Sequence, residues 1–232
     1  MGAFGSKKAQ VNLHSTDETY TLTATATNSE GTATDSITLN WGCEVPESEP
    51  VVIEREVIIS ADTSLNGSIS GNKVADAYAY TAGNTFTVGD TSEDKYAKGY
   101  LTFSIAALCA LRDIITIKEV EIRISGVVIV GEPWLAGSQM NIKVFYYGTS
   151  LDPDDFRLGG NTVKVFNTSS SLSNLTFSTT ELKNELKSYV SSGSPLFQLK
   201  FGLNGRSTNG IQDFYGIYES NASLYVKYET AD

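Results

Sequence analysis

In the stretch KGYLTFSI (98–105), Leu101, Phe103 and Ile105 fall on one face, and apolar residues at a spacing of two mark a half-buried β-strand. KEVEIRIS (118–125) follows the same rule through Val120, Ile122 and Ile124, and PLFQLKFGL (195–203) through Phe197, Leu199, Phe201 and Leu203. Working outward, VVIEREVIIS (51–60), MNIKVFYY (140–147) and SLYVKYE (223–229) also read as strands, with turn-forming residues between them. The apolar faces are expected to meet in one core. One segment breaks the period: in TTELKNELKSYV (179–190), Leu182, Leu186 and Tyr189 recur at helical spacing behind a Thr cap and ahead of Ser and Gly. The reading is therefore an all-β sandwich with one short helix.

Composition agrees with this. Apolar residues make up 41% of the 232, charged residues only 19%, and 20 glycines punctuate the chain. Such a length buries one large sandwich core, or one of roughly 180 residues plus a small addition. The formal charge of −10 repels phosphate backbones and anionic headgroups, so neither nucleic acid nor a membrane surface is an expected partner. No apolar run approaches a spanning helix, and MGAFGSKKAQ (1–10) lacks the apolar centre of a secretory signal.

The small addition lies at the start. ETYTLTATATN (18–28) carries Tyr20, Leu22, Ala24 and Ala26 on one face, DSITLNW (35–41) carries Ile37, Leu39 and Trp41, and NSEGT between them supplies a turn. KKAQVNL (7–13) reads as a third strand. CEVPESEP (43–50), with two prolines and three glutamates, is a stiff acidic linker. The run Tyr20 to Gly31 resembles the last strands of a bacterial immunoglobulin-like domain, with an inserted Ala-Thr pair. That fold needs about seven strands, so 1–42 corresponds to a partial domain. Its apolar stripe of Tyr20, Leu22, Ile37, Leu39 and Trp41 is expected to be completed by another chain, because three strands do not cover it.

From 51 to 232 the order of motifs resembles the DNRLRE-type jelly-roll domain. The residues that carry the resemblance are Phe86 to Asp90, Lys98 to Leu108, Ile117 to Ile124, Thr179 to Gly193 and Leu224 to Tyr228, while the polar stretch 60–85 departs from it. The family is similar to carbohydrate-binding sandwiches and occurs as a non-catalytic module of surface, secreted and phage structural proteins. The resemblance implies a jelly-roll β-sandwich and, at family level only, polysaccharide binding.

Chemistry-bearing residues are sparse. His14 is the only histidine, so no Ser-His or Cys-His pair and no histidine metal site can be built. Cys43 and Cys109 match no metal or redox spacing; they form either one disulfide or two unpaired thiols, and the second is preferred. Asp90, Glu93 and Asp94 cluster, as do Asp152, Asp154 and Asp155; each set reads as solvated turn residues, as oxygen ligands for calcium, or as an acid and base. Glycosidic catalysis needs two carboxyls held across a cleft, which acids crowded into one turn do not provide. No enzyme activity is expected. Trp134, in the loop GEPWLAGS (131–138), is the candidate sugar platform or core plug, with Tyr215 and Tyr218 as a second pair. FGLNGRSTNG (201–210) lacks the following helix and Lys-Ser/Thr of a phosphate cradle and reads as turns.

Two functions follow. A chain starting at its own Met1 without an export signal is expected to be a virion structural or decoration protein. It would present a glycan-binding-like sandwich and assemble with other subunits through 1–42, on the virion surface. The alternative is a carbohydrate-binding or adhesion module of a larger secreted bacterial surface protein, in an extracellular setting. No cofactor is expected beyond possible calcium.

Overall fold

The computed structural model describes residues 18–41, 51–72, 77–80 and 85–231. The chain divides into two compact units, Met1–Glu49 and Pro50–Asp232. The expected third strand at 7–13, His14, Cys43 and the linker 43–50 lie outside the described residues.

In the first unit, β1 (Glu18–Asn28) and β2 (Gly31–Trp41) form an antiparallel hairpin closed by a two-residue turn at Ser29 and Glu30. Its register sets Tyr20 opposite Leu39, Leu22 opposite Ile37 and Glu18 opposite Trp41. Every hairpin side chain described is exposed, Ile37 to 59%.

The second unit is an all-β sandwich. Its strands are β3 (Val52–Ser60), β4 (Gly67–Gly71), β5 (Tyr78–Tyr80), β6 (Thr85–Asp90), β7 (Tyr96–Ser104), β8 (Ile115–Ser125) and β9 (Val128–Val130). They continue with β10 (Gln139–Val144), β11 (Asn161–Asn167), β12 (Asn174–Phe177), β13 (Leu196–Leu203), β14 (Asp213–Tyr218) and β15 (Ala222–Ala231). The smaller sheet runs β12-β8-β15-β3, so the first and last strands of the sandwich lie side by side. The larger runs β11-β10-β13-β7-β6-β14-β9, with β4 on the other edge of β7 and β5 beyond it. All pairings are antiparallel.

Period-two alternation explains the layers. Leu101, Phe103, Phe197, Leu199, Phe201 and Ile142 point inward from the larger sheet and meet Val120, Ile122, Ile124, Leu224 and Val226 from the smaller one. The helix expected at 179–190 is α3 (Thr180–Ser192); the others, α1 (Ala106–Cys109) and α2 (Pro133–Ala136), are single turns. Thr179 caps α3 by accepting from the Leu182 amide at 3.1 Å, and Gly193 ends it at φ 73°. Leu182, Leu186 and Val190 bury its apolar stripe in the same core.

Residues of opposite parity on the larger sheet face outward, where a second, smaller cluster forms from Ile69, Tyr100, Phe145, Tyr147 and Phe156. The stretch 60–85, read as polar and atypical, contains β4, whose residues are all buried despite the sequence GSISG. Ser68 achieves this by accepting from the Thr87 amide at 2.8 Å. Cys109 is an unpaired, half-buried thiol that donates to the Ser194 carbonyl.

Candidate functional site

The outward face of β7, β10 and β13 carries a pocket of about 200 Å³ lined by Lys98, Asn141, Lys143, Arg157, Leu158, Gly159, Lys200 and the Phe201–Leu203 backbone region. Register makes the site. Lys143 is directly opposite Lys200, and Lys200 directly opposite Tyr100, so one row across three strands reads Lys, Lys, Tyr. Lys98 enters from β7, two residues before Tyr100 and hence on the same face. Arg157 follows a 3-10 turn at Pro153–Phe156.

That turn positions the lysines. Asp152 Oδ1 accepts from the Asp154 amide and Asp155 Oδ2 from the Asp152 amide, both at 2.9 Å, a reciprocal cap. The capped turn points its carbonyls at the sheet: Lys200 Nζ donates to the carbonyls of Asp155 (2.5 Å), Phe156 (3.2 Å) and Leu158 (2.7 Å). Lys98 Nζ donates to Phe156 O at 2.7 Å and lies 3.9 Å from the centre of the Phe156 ring. The second acidic triplet is thus occupied in shaping a turn, and its backbone rather than its carboxylates meets the cations.

All three Lys200 donors are taken by carbonyls, so this ammonium contributes charge rather than a free hydrogen bond. It is 6% exposed, and burial, with Lys98 next and Lys143 behind it, lowers it to about 7 against the opposing pull of Asp155. Lys98 is lowered too, by burial and then by Lys143. The side chains of Lys143 and Arg157 have no hydrogen-bond or ion-pair partner among the described residues, whose ion pairs lie elsewhere. Three lysines and an arginine therefore gather in one pocket of a chain whose formal charge is −10. Such a site attracts a carboxylate, sulfate or phosphate group, with Lys143 and Arg157 free to donate to it.

The residues read from sequence fall elsewhere. Trp134 is half-buried in α2 beside Leu135, which is 70% exposed. Tyr215 is fully buried in the core and its hydroxyl donates to Ser169 O, so its ring offers no platform; Tyr218 is 42% exposed. Three residues apart on β14, they point to opposite faces and do not form a pair. Asp90 is buried, Glu93 pairs with Lys95, and Asp94 Oδ1 accepts from the Gly210 amide. No three acidic, thiol or imidazole side chains converge at metal-binding spacing among the described residues.

Sequence reading passed over the lysines. The available signal was a lysine at an outward position inside each of three otherwise apolar strands, KGYLTFSI, MNIKVFYY and PLFQLKFGL. No protein-family model and no curated protein sequence matches the chain.

Proposed function

We propose that the sandwich is a non-catalytic binding module whose ligand is an acidic polysaccharide, held by its carboxylate or sulfate groups in the Lys98–Lys143–Arg157–Lys200 pocket. The observation that carries this reading is the gathering of three lysines and an arginine, two of them without hydrogen-bond or ion-pair partners among the described residues, on one open sheet face of an acidic chain. Leu158, Gly159 and Gly202 line the same pocket and add apolar and small residues to the charged ones, which suits a sugar ring better than a bare ion.

The setting we infer is a particle or surface array, at a virion surface or outside a cell. The support is the hairpin, whose described side chains, Leu22 and Ile37 included, are all exposed; among the described residues it is a two-stranded sheet, and a ribbon of so few strands gains from a partner chain.

Affinity electrophoresis of the full chain through gels containing a polyuronate, a sulfated polysaccharide or a neutral glucan tests the ligand. Retardation is expected by the acidic polymers only, weakening as salt rises and lost in the double variant Lys143→Ala, Arg157→Ala, with polymer length unchanged. Equal retardation by the neutral glucan, or none by any acidic polymer at low salt, sinks the proposal.

A further inference from the structure

A second polar pocket, about 350 Å³, lies apart from the lysines and is lined by Ser70, Thr87, Asp90, Thr91, Ser92, Glu93 and Gln212 among others. Asp90 stands out within it. Its side chain is 0% exposed, yet neither carboxylate oxygen has a hydrogen-bond partner. A buried carboxylate without partners is strongly unfavourable unless it is neutralised. The nearest elements worsen the case. Asp213 on β14 is directly opposite Asp90 and only 3% exposed, and directly opposed side chains on one sheet face lie about 5 Å apart. Burial first, then Asp213, then Asp94 raise the Asp90 carboxyl to about 6, while Arg206 opposes them.

Arg206 does not supply the missing partner: its Nη1 donates to Asn72 and to the Asp94 carbonyl, and none of its hydrogen bonds reaches the Asp90 carboxylate. Asp213 is held firmly. Its Oδ1 accepts from the Glu132 amide at 2.6 Å, and a Cβ at Gly131, where φ is 67°, would run into that carboxylate. Its Oδ2 has only the Asn209 amide at 3.5 Å, the limit of a hydrogen bond.

We propose that Asp90 and Asp213 form a calcium site. The two facing carboxylates offer three oxygens that are free or nearly so. A Ca²⁺ ion, which takes oxygen ligands at roughly 2.3–2.6 Å, fits between two such groups and neutralises both. Thr91, Ser92 and Gln212, which line the same pocket as Asp90, carry further oxygens that can complete the shell. Mg²⁺ demands a near-ideal octahedron at shorter distances and sheds its waters reluctantly, so it is expected to bind two such carboxylates less well.

The test is thermal unfolding of the full chain, stripped with a chelator and then titrated with CaCl₂ or MgCl₂ at pH 7.5. Calcium in hundredfold excess over its dissociation constant is expected to raise Tm by about 5 °C or more, and magnesium to do much less. Asp90→Asn removes the unpartnered charge, so the metal-free variant is expected to fold, to melt no lower than the stripped parent, and to show no calcium response. Should Asp90→Asn misfold, Asp213→Asn with calcium calorimetry supplies the same comparison. An unchanged Tm of the stripped parent in calcium, an equal response to magnesium, or a calcium response that survives in a folded Asp90→Asn variant overturns the site.

Discussion

Lys143 faces Lys200 across the β10–β13 pair, and like charges so placed weaken a sheet. A position that costs stability and has no protein partner points to a ligand. Lys143→Gln is expected to weaken binding of acidic polysaccharide several-fold while leaving stability equal or up to about 1 kcal/mol higher, as read by calorimetry and urea unfolding. Lys200→Met behaves differently. It strips the donor from three carbonyls of the 153–158 turn and is expected to cost roughly 1–3 kcal/mol. Because Lys200 titrates near 7 and an anion favours its charged form, binding should take up protons. Affinity is expected to rise as pH falls from 8 to 6, and calorimetry in buffers of different ionisation enthalpy measures the uptake. The two buried acids give a second pH dependence. Asp90 is raised to about 6 by burial and then Asp213, and Glu219 to about 7 by burial, partly opposed by Asn66. Groups whose folded pKa is raised stabilise most below their unfolded values and lose that contribution as pH rises through the folded ones. The metal-free chain should therefore lose stability between about pH 4 and pH 7, on the order of 5 kcal/mol for the two groups together, visible as a falling Tm.

Among the elements, α3 shows how a local signal and a long-range one reinforce each other. Thr179 Oγ1 accepts from the Leu182 amide and also donates to the Val163 carbonyl at 2.9 Å, tying the helix start to β11. Thr179→Ala is expected to cost about 1–2 kcal/mol and Thr179→Ser much less, measured by urea unfolding. Elements of this kind were readable in advance, because cap, apolar stripe and terminating glycine sit within fifteen residues. So were β7, β8, β13 and β15, whose core residues recur at a spacing of two. β4 escaped because Ser68 and Ser70 are buried on polar terms, through Thr87 and close strand neighbours, and no apolar pattern announces that. Tyr215 misled because an aromatic pair three apart looks clustered in sequence, whereas a strand turns its members to opposite faces. The lysine pocket was hidden for a third reason. Lys98, Lys143 and Lys200 come from three strands, and only the β10-β13-β7 order, which is a long-range property, makes them neighbours.

At the scale of the whole molecule, the two units are expected to separate in function. A chain lacking residues 1–42 should remain folded and monomeric by sedimentation and bind acidic polysaccharide as before, but no longer assemble. If it assembles normally, or if the full chain is itself a monomer with a protease-resistant hairpin, the assembly role is wrong. The pairing of β3 with β15 has a mechanical consequence. Val52 faces Ala231 at one end of that pair and Ser60 faces Ser223 at the other, so whatever is attached to either end of the sandwich pulls from the same corner. β3 is an edge strand, held within its sheet by β15 alone. Tension applied between the two ends opens their hydrogen bonds one after another, as a zipper, instead of loading them together in shear. A sandwich tethered in this way yields at low force, starting with the strand farthest in sequence from the lysine pocket's last wall. Pulled in an optical trap by handles at its two ends, it should release β3 first in a shallow step while the sheet that carries the pocket is still intact.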